Sequence, residues 1–275
     1  MQNRQRGMEL LREGKRSEAY SHFARSIDVT PRMSFLLIEH LRRNGIAYVV
    51  APYEADAQLA YLNREGIVDG VISEDSDMIP YGCTRVLFKL DRDTGCGRQV
   101  CRSRLSKCTD VRLGGFTDDM VLKWCILTGC DYLPSLPGMG IKGAHAVVQR
   151  ASSGGSLSTP ALFHLLRLEG KFTVAGDYVD GFKRALLTFR HQVVYDPRAK
   201  KLVHLTPLVA VRCDTSFDVS FLGKMFADDV AQGVASGYLH PTTQKPFEMT
   251  PRGPPPAPRA PPALPTALPS NSPAI

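Results

Sequence analysis

Carboxylates gather at two places in this sequence of 275 residues, and both places follow a short apolar run. Glu54 and Asp56 come after one run, and Asp75 and Asp77 come after the next. Continuous apolar runs of this length are typical of buried parallel strands. In open α/β folds the ends of such strands meet at one edge of the sheet, where ligands bind. We therefore expect the four carboxylates to lie close together.

Converging carboxylates repel one another and raise each other's pKa unless a cation neutralises them. Their hard oxygen atoms suit Mg²⁺ or Mn²⁺. A pair of such ions, roughly 3.5 to 4 Å apart, can hold both the attacking and the leaving oxygen of a phosphodiester. Asp131, just past a predicted helix, is a fifth candidate ligand. The pattern predicts metal-dependent phosphodiester hydrolysis, with all five acids as catalytic and metal-binding residues.

Structural roles for the same acids remain open from the residues alone. Glu54 and Asp56 would complement the positive end of the helix that starts there. Asp75 and Asp77 would serve as turn or capping residues, and Asp131 would cap a helix end.

A glycine-containing turn between two predicted helices is a candidate phosphate site. Gly138 and Gly140 let the backbone approach a phosphate, the next helix begins with free N–H groups, and Lys142 adds positive charge. An ordinary tight turn explains the same residues. Beside a metal site, the turn predicts contact with a DNA backbone that reads no sequence.

Hydrophobic periodicity predicts an α/β fold with a parallel sheet. The first 44 residues favour three helices, broken near Gly14 and Pro31. Strands are expected at residues 46–51 and 67–72 with a helix at 53–64 between them, followed by a ribbon at 85–90 and 99–105. Four further helices are expected at about residues 117–128, 141–151, 160–168 and 177–194.

This pattern divides the chain into a helical segment at residues 1–44, a partial α/β core at 45–130 and a mainly helical region at 131–240. The proline-rich end, residues 246–275, has almost no large apolar side chains and is expected to be disordered. Residues 7–31 also resemble one tetratricopeptide repeat, but no second copy follows, and such repeats require neighbours.

Composition narrows the class of protein. The net charge of +7 and pI near 9.1 suit a polyanionic partner. Seven cysteines without a CxxC pair indicate neither a disulfide framework nor a thiolate zinc site, so we expect reduced thiols. No apolar run reaches the roughly 20 residues that span a bilayer, and the first residues lack the apolar region of a signal peptide. A cytosolic or nuclear chain is expected.

Three segments carry a close family resemblance: LLREGKRSEAYSHFARSI, VAPYEADAQLAYLNREGIVDGVISEDSDMI and ILTGCDYLPSLPGMGIKGA. With them the chain resembles the flap-endonuclease/XPG family of structure-specific 5′ nucleases. The similarity extends to about Tyr238 and leaves only the proline-rich end outside it.

The resemblance implies a PIN-like α/β nuclease core with a helix-two-turn-helix module, and a helical arch that includes residues 1–28. It assigns Mg²⁺ ligands, for two ions with Mn²⁺ as a substitute, to Glu54 and Asp56 (E-x-D), Asp75 and Asp77 (E-D-x-D) and Asp131 (G-x-D-Y). Glu74 has no metal role by this match and is expected to be a structural partner. A monovalent cation such as K⁺ would lie in the helix-two-turn-helix at Thr128, Ser135 and Met139.

The implied activity is that of a 5′-to-3′ DNA exonuclease and 5′ flap endonuclease in nuclear DNA repair and recombination, including mismatch repair. Its substrates would be duplexes with a 5′ end, nick, gap or flap, and mismatch-repair proteins would bind regions outside this chain. Family members begin with strands that carry two further metal-binding acids, and no such strands precede Met1. We therefore expect a truncated isoform or an incomplete gene model. A second interpretation is an inactive short form that binds DNA, or a partner through its proline-rich end.

Overall fold

The computed structural model describes residues 2–27, 29–152, 156–208 and 218–247. The described residues belong to two compact units, residues 1–48 with Pro246 and Phe247, and residues 49–245. The predicted divisions at residues 44 and 130 stay predictions. The proline-rich end lies outside the described residues except for its first two positions.

The first unit contains three helices with the bounds α1 Gln2–Arg12, α2 Arg16–Ala24 and α3 Pro31–Arg43. Helices α1 and α2 pack closely because Gly7 has no side chain: a Cβ atom there would lie 2.7 Å from the Phe23 ring. Helix α3 begins where Thr30 Oγ1 accepts a hydrogen bond from the backbone N–H of Met33 at 3.3 Å. The three predicted helices are confirmed.

The second unit combines a small sheet with helices. Its elements are α4 Ala55–Arg64, β1 Val71–Ile72, β2 Arg85–Phe88, β3 Arg98–Cys101, α5 Asp118–Thr128, α6 Ile141–Ala151, α7 Thr159–Glu169, α8 Gly176–His191, β4 Val193–Asp196, β5 Lys201–His204 and α9 Asp228–Ala235. Strands β1 and β2 are parallel, and β2 and β3 are antiparallel, which confirms the predicted ribbon. Strands β4 and β5 form a separate hairpin. The α/β class is confirmed.

Two predicted strands differ from the structure. Residues 46–51 do not form a strand, and the predicted strand at 67–72 is reduced to Val71–Ile72. A strand requires a backbone partner as well as apolar side chains. Val50 donates its backbone N–H to the carbonyl of Ala235 at 2.9 Å, the end of a helix, instead of joining a sheet.

The last predicted helix also ends earlier than expected. Helix α8 stops at His191, and Gln192 adopts ψ 145°, which turns the chain into β4. Strand β4 forms here for two reasons. Val193, Val194 and Tyr195 are β-branched or aromatic residues with high strand propensity, and β5 provides a partner strand for them.

One apolar core joins α4, the sheet and helices α5 to α8, with Ala57, Met78, Ile126, Leu162 and Phe182 fully buried. A second, smaller apolar cluster joins β4, β5 and α9. No helix in the described part of the chain has the length and apolar character needed to cross a membrane.

Asn63 on α4 fixes the segments that lead into β1 and β2. Its buried amide donates to the carbonyl of Val68 at 3.2 Å and accepts from the backbone N–H and the hydroxyl of Thr84 at 2.7 and 3.0 Å. These bonds hold both strands against the helix.

We expect Asn63→Ala to lower the free energy of unfolding by about 3 kcal/mol, because it leaves buried backbone groups without partners. Urea denaturation measures this value. Gln149→Ala, which removes an exposed amide from α6, is the matched control and should change stability by less than about 0.5 kcal/mol. Equal effects would contradict the assigned role of Asn63.

Candidate functional site

The five predicted site acids lie at the ends of elements of the second unit. Glu54 is the residue before α4, and Asp56 lies in the first turn of that helix. Asp75 follows β1 and accepts the backbone N–H of Asp77 at 2.8 Å, which starts a short 3-10 turn. Asp131 follows α5 after Gly129. We call these five side chains the carboxylate cluster.

The members of the carboxylate cluster interact electrostatically, and the interaction is repulsive. Burial, then the charges of Asp75, Asp131, Asp56 and Glu54, raise the pKa of Asp77 to about 6. The pKa of Asp56 is also raised, first by burial and then by Asp75, with smaller effects from Glu54 and Asp131. The other four charges of the cluster therefore lie within interaction range of Asp77.

No lysine, arginine or histidine of the described residues forms an ion pair with any member of the cluster. The structural alternatives fit part of the set, because Asp75 caps a turn and Glu54 and Asp56 lie at the positive end of α4, although Glu54 makes no capping hydrogen bond. Negative charge is therefore concentrated here without a cation from the described protein.

The cluster fits a divalent ion by its chemistry, because carboxylate oxygens are the preferred ligands of Mg²⁺ and Mn²⁺. Its side chains are not closed around one point: among the residues that the structure describes, no three His, Cys, Asp or Glu side chains are arranged to hold a metal ion. The metal-ligand assignment of the five acids thus stays a prediction, and it requires side-chain movement on binding.

Glu74 lies between the cluster residues in sequence but has a partner of its own. Its carboxylate accepts the backbone N–H of Lys89 at 2.7 Å and pairs with the Lys89 ammonium at 2.6 Å. Hydrogen bonds from Lys89 lower the pKa of Glu74. Glu74 thus has a structural partner in Lys89, as expected, and its lack of a metal role stays a prediction.

A tyrosine pair contacts the cluster, and sequence reasoning missed it. The hydroxyl of Tyr132 donates to Glu54 Oε2, and it also contacts the hydroxyl of Tyr81. Tyr81 lies 2.8 Å from Gln192 Oε1. Burial first, then the hydrogen bond to Glu54, raises the pKa of Tyr132, so its hydroxyl remains a donor. The position of Tyr132 beside Asp131 was the only signal in the sequence.

The connection between α5 and α6 contains the other predicted site residues. Gly129 has φ 98°, and a Cβ atom there would lie 3.1 Å from the backbone nitrogen of Ser135. Thr128 donates its hydroxyl to the carbonyl of Cys125 at 2.7 Å. Met139 is buried, and its sulfur lies 3.6 Å from the Cβ position of Gly143. Monovalent-cation binding by Thr128, Ser135 and Met139 stays a prediction.

The predicted phosphate-binding turn is exposed. Gly138 has φ 81°, which favours glycine, and Gly140 precedes the first residue of α6 without a side-chain cap. Lys142 is exposed in the first turn and forms no ion pair with a described residue. The free N–H groups and the ammonium group are therefore available to an anion.

A cavity of about 640 Å³ lies beside the cluster, between the turn after β1, strand β3 and helix α5. Asp77 and Thr128 both line it, so one cavity reaches a predicted divalent-ion ligand and a predicted monovalent-ion ligand. Trp124, another lining residue, donates its indole N–H to the carbonyl of Ile141 at 3.0 Å. Nothing in the sequence pattern indicated this cavity.

Charge repulsion within the cluster gives a test that needs no metal. Because the folded-state pKa of Asp77 is raised, the folded chain binds that proton more tightly than the unfolded chain, and stability falls as pH rises through about 6. Asp77→Asn should raise the free energy of unfolding at pH 8 by about 1 kcal/mol, a value reduced for the partial exposure of the group. Urea denaturation in chelator measures it.

The gain from Asp77→Asn should shrink as pH falls below about 6. Asp91→Asn is the control, because hydrogen bonds from Thr94 lower the pKa of Asp91 and the change should destabilise the chain slightly. A stability loss for Asp77→Asn at pH 8 would contradict a repulsive cluster.

Comparison with known proteins shows which proteins this chain is similar to. The family model of the XPG I-region matches residues 45–131. Exonuclease 1 of Arabidopsis thaliana is 42% identical over 258 residues, which are 91% of this chain and 33% of that protein. Exodeoxyribonuclease 1 of Schizosaccharomyces pombe is 38% identical over 243 residues, 88% of this chain and 41% of that protein. The chain thus spans well under half the length of these curated relatives.

Among solved structures, a eukaryotic junction-resolving enzyme GEN-1 with potassium aligns with a TM-score of 0.49 and 23% identity, over 63% of this chain and 47% of that one. The matched I-region includes all five acids of the carboxylate cluster, and the identity to the exonucleases extends over most of the chain. This chain therefore belongs to the flap-endonuclease/XPG family of nucleases.

Proposed function

We propose that this chain carries the site of a metal-dependent DNA 5′ nuclease, with 5′-to-3′ exonuclease and 5′ flap endonuclease activity. The observation that carries the proposal is the carboxylate cluster: five acids within interaction range, a raised pKa at Asp77, and no basic partner among the described residues. Such an arrangement is unfavourable unless a bound cation offsets the repulsion. The relatives named Exonuclease 1 and Exodeoxyribonuclease 1 support it.

The carboxylates of the cluster would hold two Mg²⁺ ions, or Mn²⁺ in their place. When bound, such ions neutralise charge on the scissile phosphate and lower the pKa of an attacking water. The protein supplies the negative side chains and their positions: β1 and its following turn fix Asp75 and Asp77, α4 fixes Glu54 and Asp56, and the end of α5 fixes Asp131.

DNA would bind along the connection between α5 and α6. The free N–H groups at the start of α6 and the ammonium of Lys142 would contact backbone phosphates, with Gly138 and Gly140 allowing close approach. A monovalent cation such as K⁺ held by Thr128, Ser135 and Met139 would add a further phosphate contact. Contacts of this type bind any DNA sequence, so selectivity would come from the shape of the DNA end.

By its relatives the chain would act in nuclear DNA repair and recombination, including mismatch repair, on duplexes with a 5′ end, nick, gap or flap. Mismatch-repair proteins would bind regions outside this chain.

A second candidate function is a DNA- or partner-binding module without catalysis. The specific observation in its favour is that no three acids of the described residues are arranged to hold an ion. The two candidate functions differ in whether the chain cleaves DNA when Mg²⁺ is present.

The decisive experiment incubates the purified chain with a 5′-labelled flapped or nicked duplex, with and without Mg²⁺. We expect metal-dependent release of short labelled products, and we expect Asp75→Asn to reduce the rate at least 100-fold while DNA affinity in chelator is unchanged. Asparagine retains an oxygen that accepts the N–H of Asp77, so the change removes charge and preserves the turn.

Glu74→Gln is the matched control for this experiment, since Glu74 is the adjacent acid and pairs with Lys89 outside the cluster. Its cleavage rate should stay within a few-fold of the unaltered chain. DNA binding without cleavage by the unaltered chain would favour the binding module, and full activity of Asp75→Asn would place the catalytic site elsewhere.

For the DNA contact, we expect Lys142→Ala to weaken binding about equally for unrelated DNA sequences and to reduce the salt dependence of binding by about one counterion, since one phosphate contact is lost. Fluorescence anisotropy over a salt series measures both. Lys201→Ala, an exposed lysine on β5, is the control. An unchanged salt slope for Lys142→Ala would remove α6 from the DNA interface.

A further inference from the structure

A line of hydrogen-bonding groups connects the carboxylate cluster to the junction of α8 and β4. Gln192, the residue between those elements, contacts the hydroxyl of Tyr81 at 2.8 Å. Tyr81 contacts the hydroxyl of Tyr132, and Tyr132 donates to Glu54 Oε2. The Tyr81 hydroxyl also lies 3.3 Å from that same carboxylate oxygen. Two tyrosine hydroxyls from separate segments therefore meet at one carboxylate oxygen, and Gln192 holds one of the two tyrosines.

The two tyrosine hydroxyls are the donors of this line. The hydroxyl of Tyr132 donates to Glu54 Oε2, and the hydroxyl of Tyr81 donates to Gln192 Oε1 at 2.8 Å and lies 3.3 Å from Glu54 Oε2. Either tyrosine can supply the proton of the contact between them. Glu54 and Gln192 contribute oxygen acceptors, so the carboxylate is held by the hydroxyl groups of the two tyrosines.

Packing fixes both tyrosine rings. Phe189 on α8 lies edge-on to the Tyr81 ring, with centroids 4.8 Å apart, and edge-on to the Tyr132 ring at 5.1 Å. Tyr81 is 1% exposed and Gln192 is 5% exposed. Buried hydroxyls with fixed rings have few alternative partners, so the hydrogen bonds hold a single geometry.

A second pair of buried hydrogen bonds connects helix α4 to strand β4. The amide of Gln58 on α4 donates to the carbonyl of Tyr195 and accepts its N–H, both at 2.8 Å. The helix that follows Glu54 is thereby tied to β4, while the Glu54 side chain is tied to the residue just before β4. The backbone and the side chain of Glu54 are therefore both held in place by contacts with the junction of α8 and β4.

We propose that the hydroxyls of Tyr132 and Tyr81, with Tyr81 held by Gln192 Oε1, form a donor chain that orients the Glu54 carboxylate, and that the two tyrosines are positioning residues for divalent-ion binding. This inference rests on the proposed function. With Tyr132 donating to Oε2, rotation of the Glu54 carboxylate away from this position costs a hydrogen bond. Hydrogen-bonded partners of metal ligands typically change metal affinity about 10- to 100-fold when removed.

The first measurement is the binding of Mn²⁺ alone to the purified chain, followed by electron paramagnetic resonance. Tyr132→Phe keeps the ring and deletes the donor, and it should weaken Mn²⁺ binding about 10-fold or more. Tyr81→Phe should weaken it by a smaller factor, since Tyr132 still donates to Glu54. Tyr195→Phe is the matched control, a buried tyrosine whose hydroxyl is outside the donor chain, and it should leave Mn²⁺ affinity unchanged. Equal affinities for Tyr132→Phe and Tyr195→Phe overturn the proposal.

The second measurement needs neither metal nor activity. In urea denaturation with chelator, the midpoint shifts of Tyr132→Phe and Glu54→Gln should be non-additive in the double variant, because the two groups share a hydrogen bond. The shifts of Tyr195→Phe and Glu54→Gln should add. Additive shifts for the Tyr132 pair overturn the donor chain. If the unaltered chain binds no Mn²⁺, the metal role under Proposed function fails, and this coupling alone then decides whether the donor chain exists.

Discussion

Mutual repulsion between carboxylates is the constraint on which the rest of the second unit depends. Five acids lie within interaction range, and the pKa of Asp77 is raised to about 6 as a result of burial and of these neighbours. Holding such a group of like charges in place without a cation is energetically unfavourable. The elements around it are therefore best understood as a scaffold that keeps negative charge concentrated, and the cost of that concentration is what a bound cation offsets.

The scaffold uses two kinds of support. Buried amides of α4 fix backbone: Asn63 holds the segments leading into β1 and β2, and Gln58 holds β4. Hydroxyls and a capping bond then fix the acids themselves, with Tyr132 at Glu54 and the Asp77 N–H at Asp75. Glu74 shows the contrast, because an acid one residue from Asp75 has its charge offset by Lys89 and takes no part in the cluster. Neighbouring acids therefore differ in function through their partners.

Local patterns predicted most helices because a helix satisfies its own backbone hydrogen bonds. Helices α1 to α7 lie close to their predicted positions, and so does the ribbon of β2 and β3. The strand predicted at residues 46–51 was wrong, and α8 was predicted to run into β4. A strand requires a partner strand, which can be distant in sequence. Residues 46–51 have no partner strand among the described residues, whereas Val193 and Val194 pair with β5.

For the site, the sequence by itself determined that carboxylates follow two apolar runs and that a glycine-containing turn lies between two helices. It therefore determined that oxygen ligands and a glycine turn were present. It did not determine that Glu54 and Tyr132 meet, because 78 positions separate them. Only the tertiary structure decided that Tyr81 and Tyr132 meet at Glu54, that Gln192 holds Tyr81, and that one cavity joins Asp77 to Thr128. The physical reason is that hydrogen bonds and charge interactions act over a few ångströms in space, and sequence spacing fixes such distances only within one element.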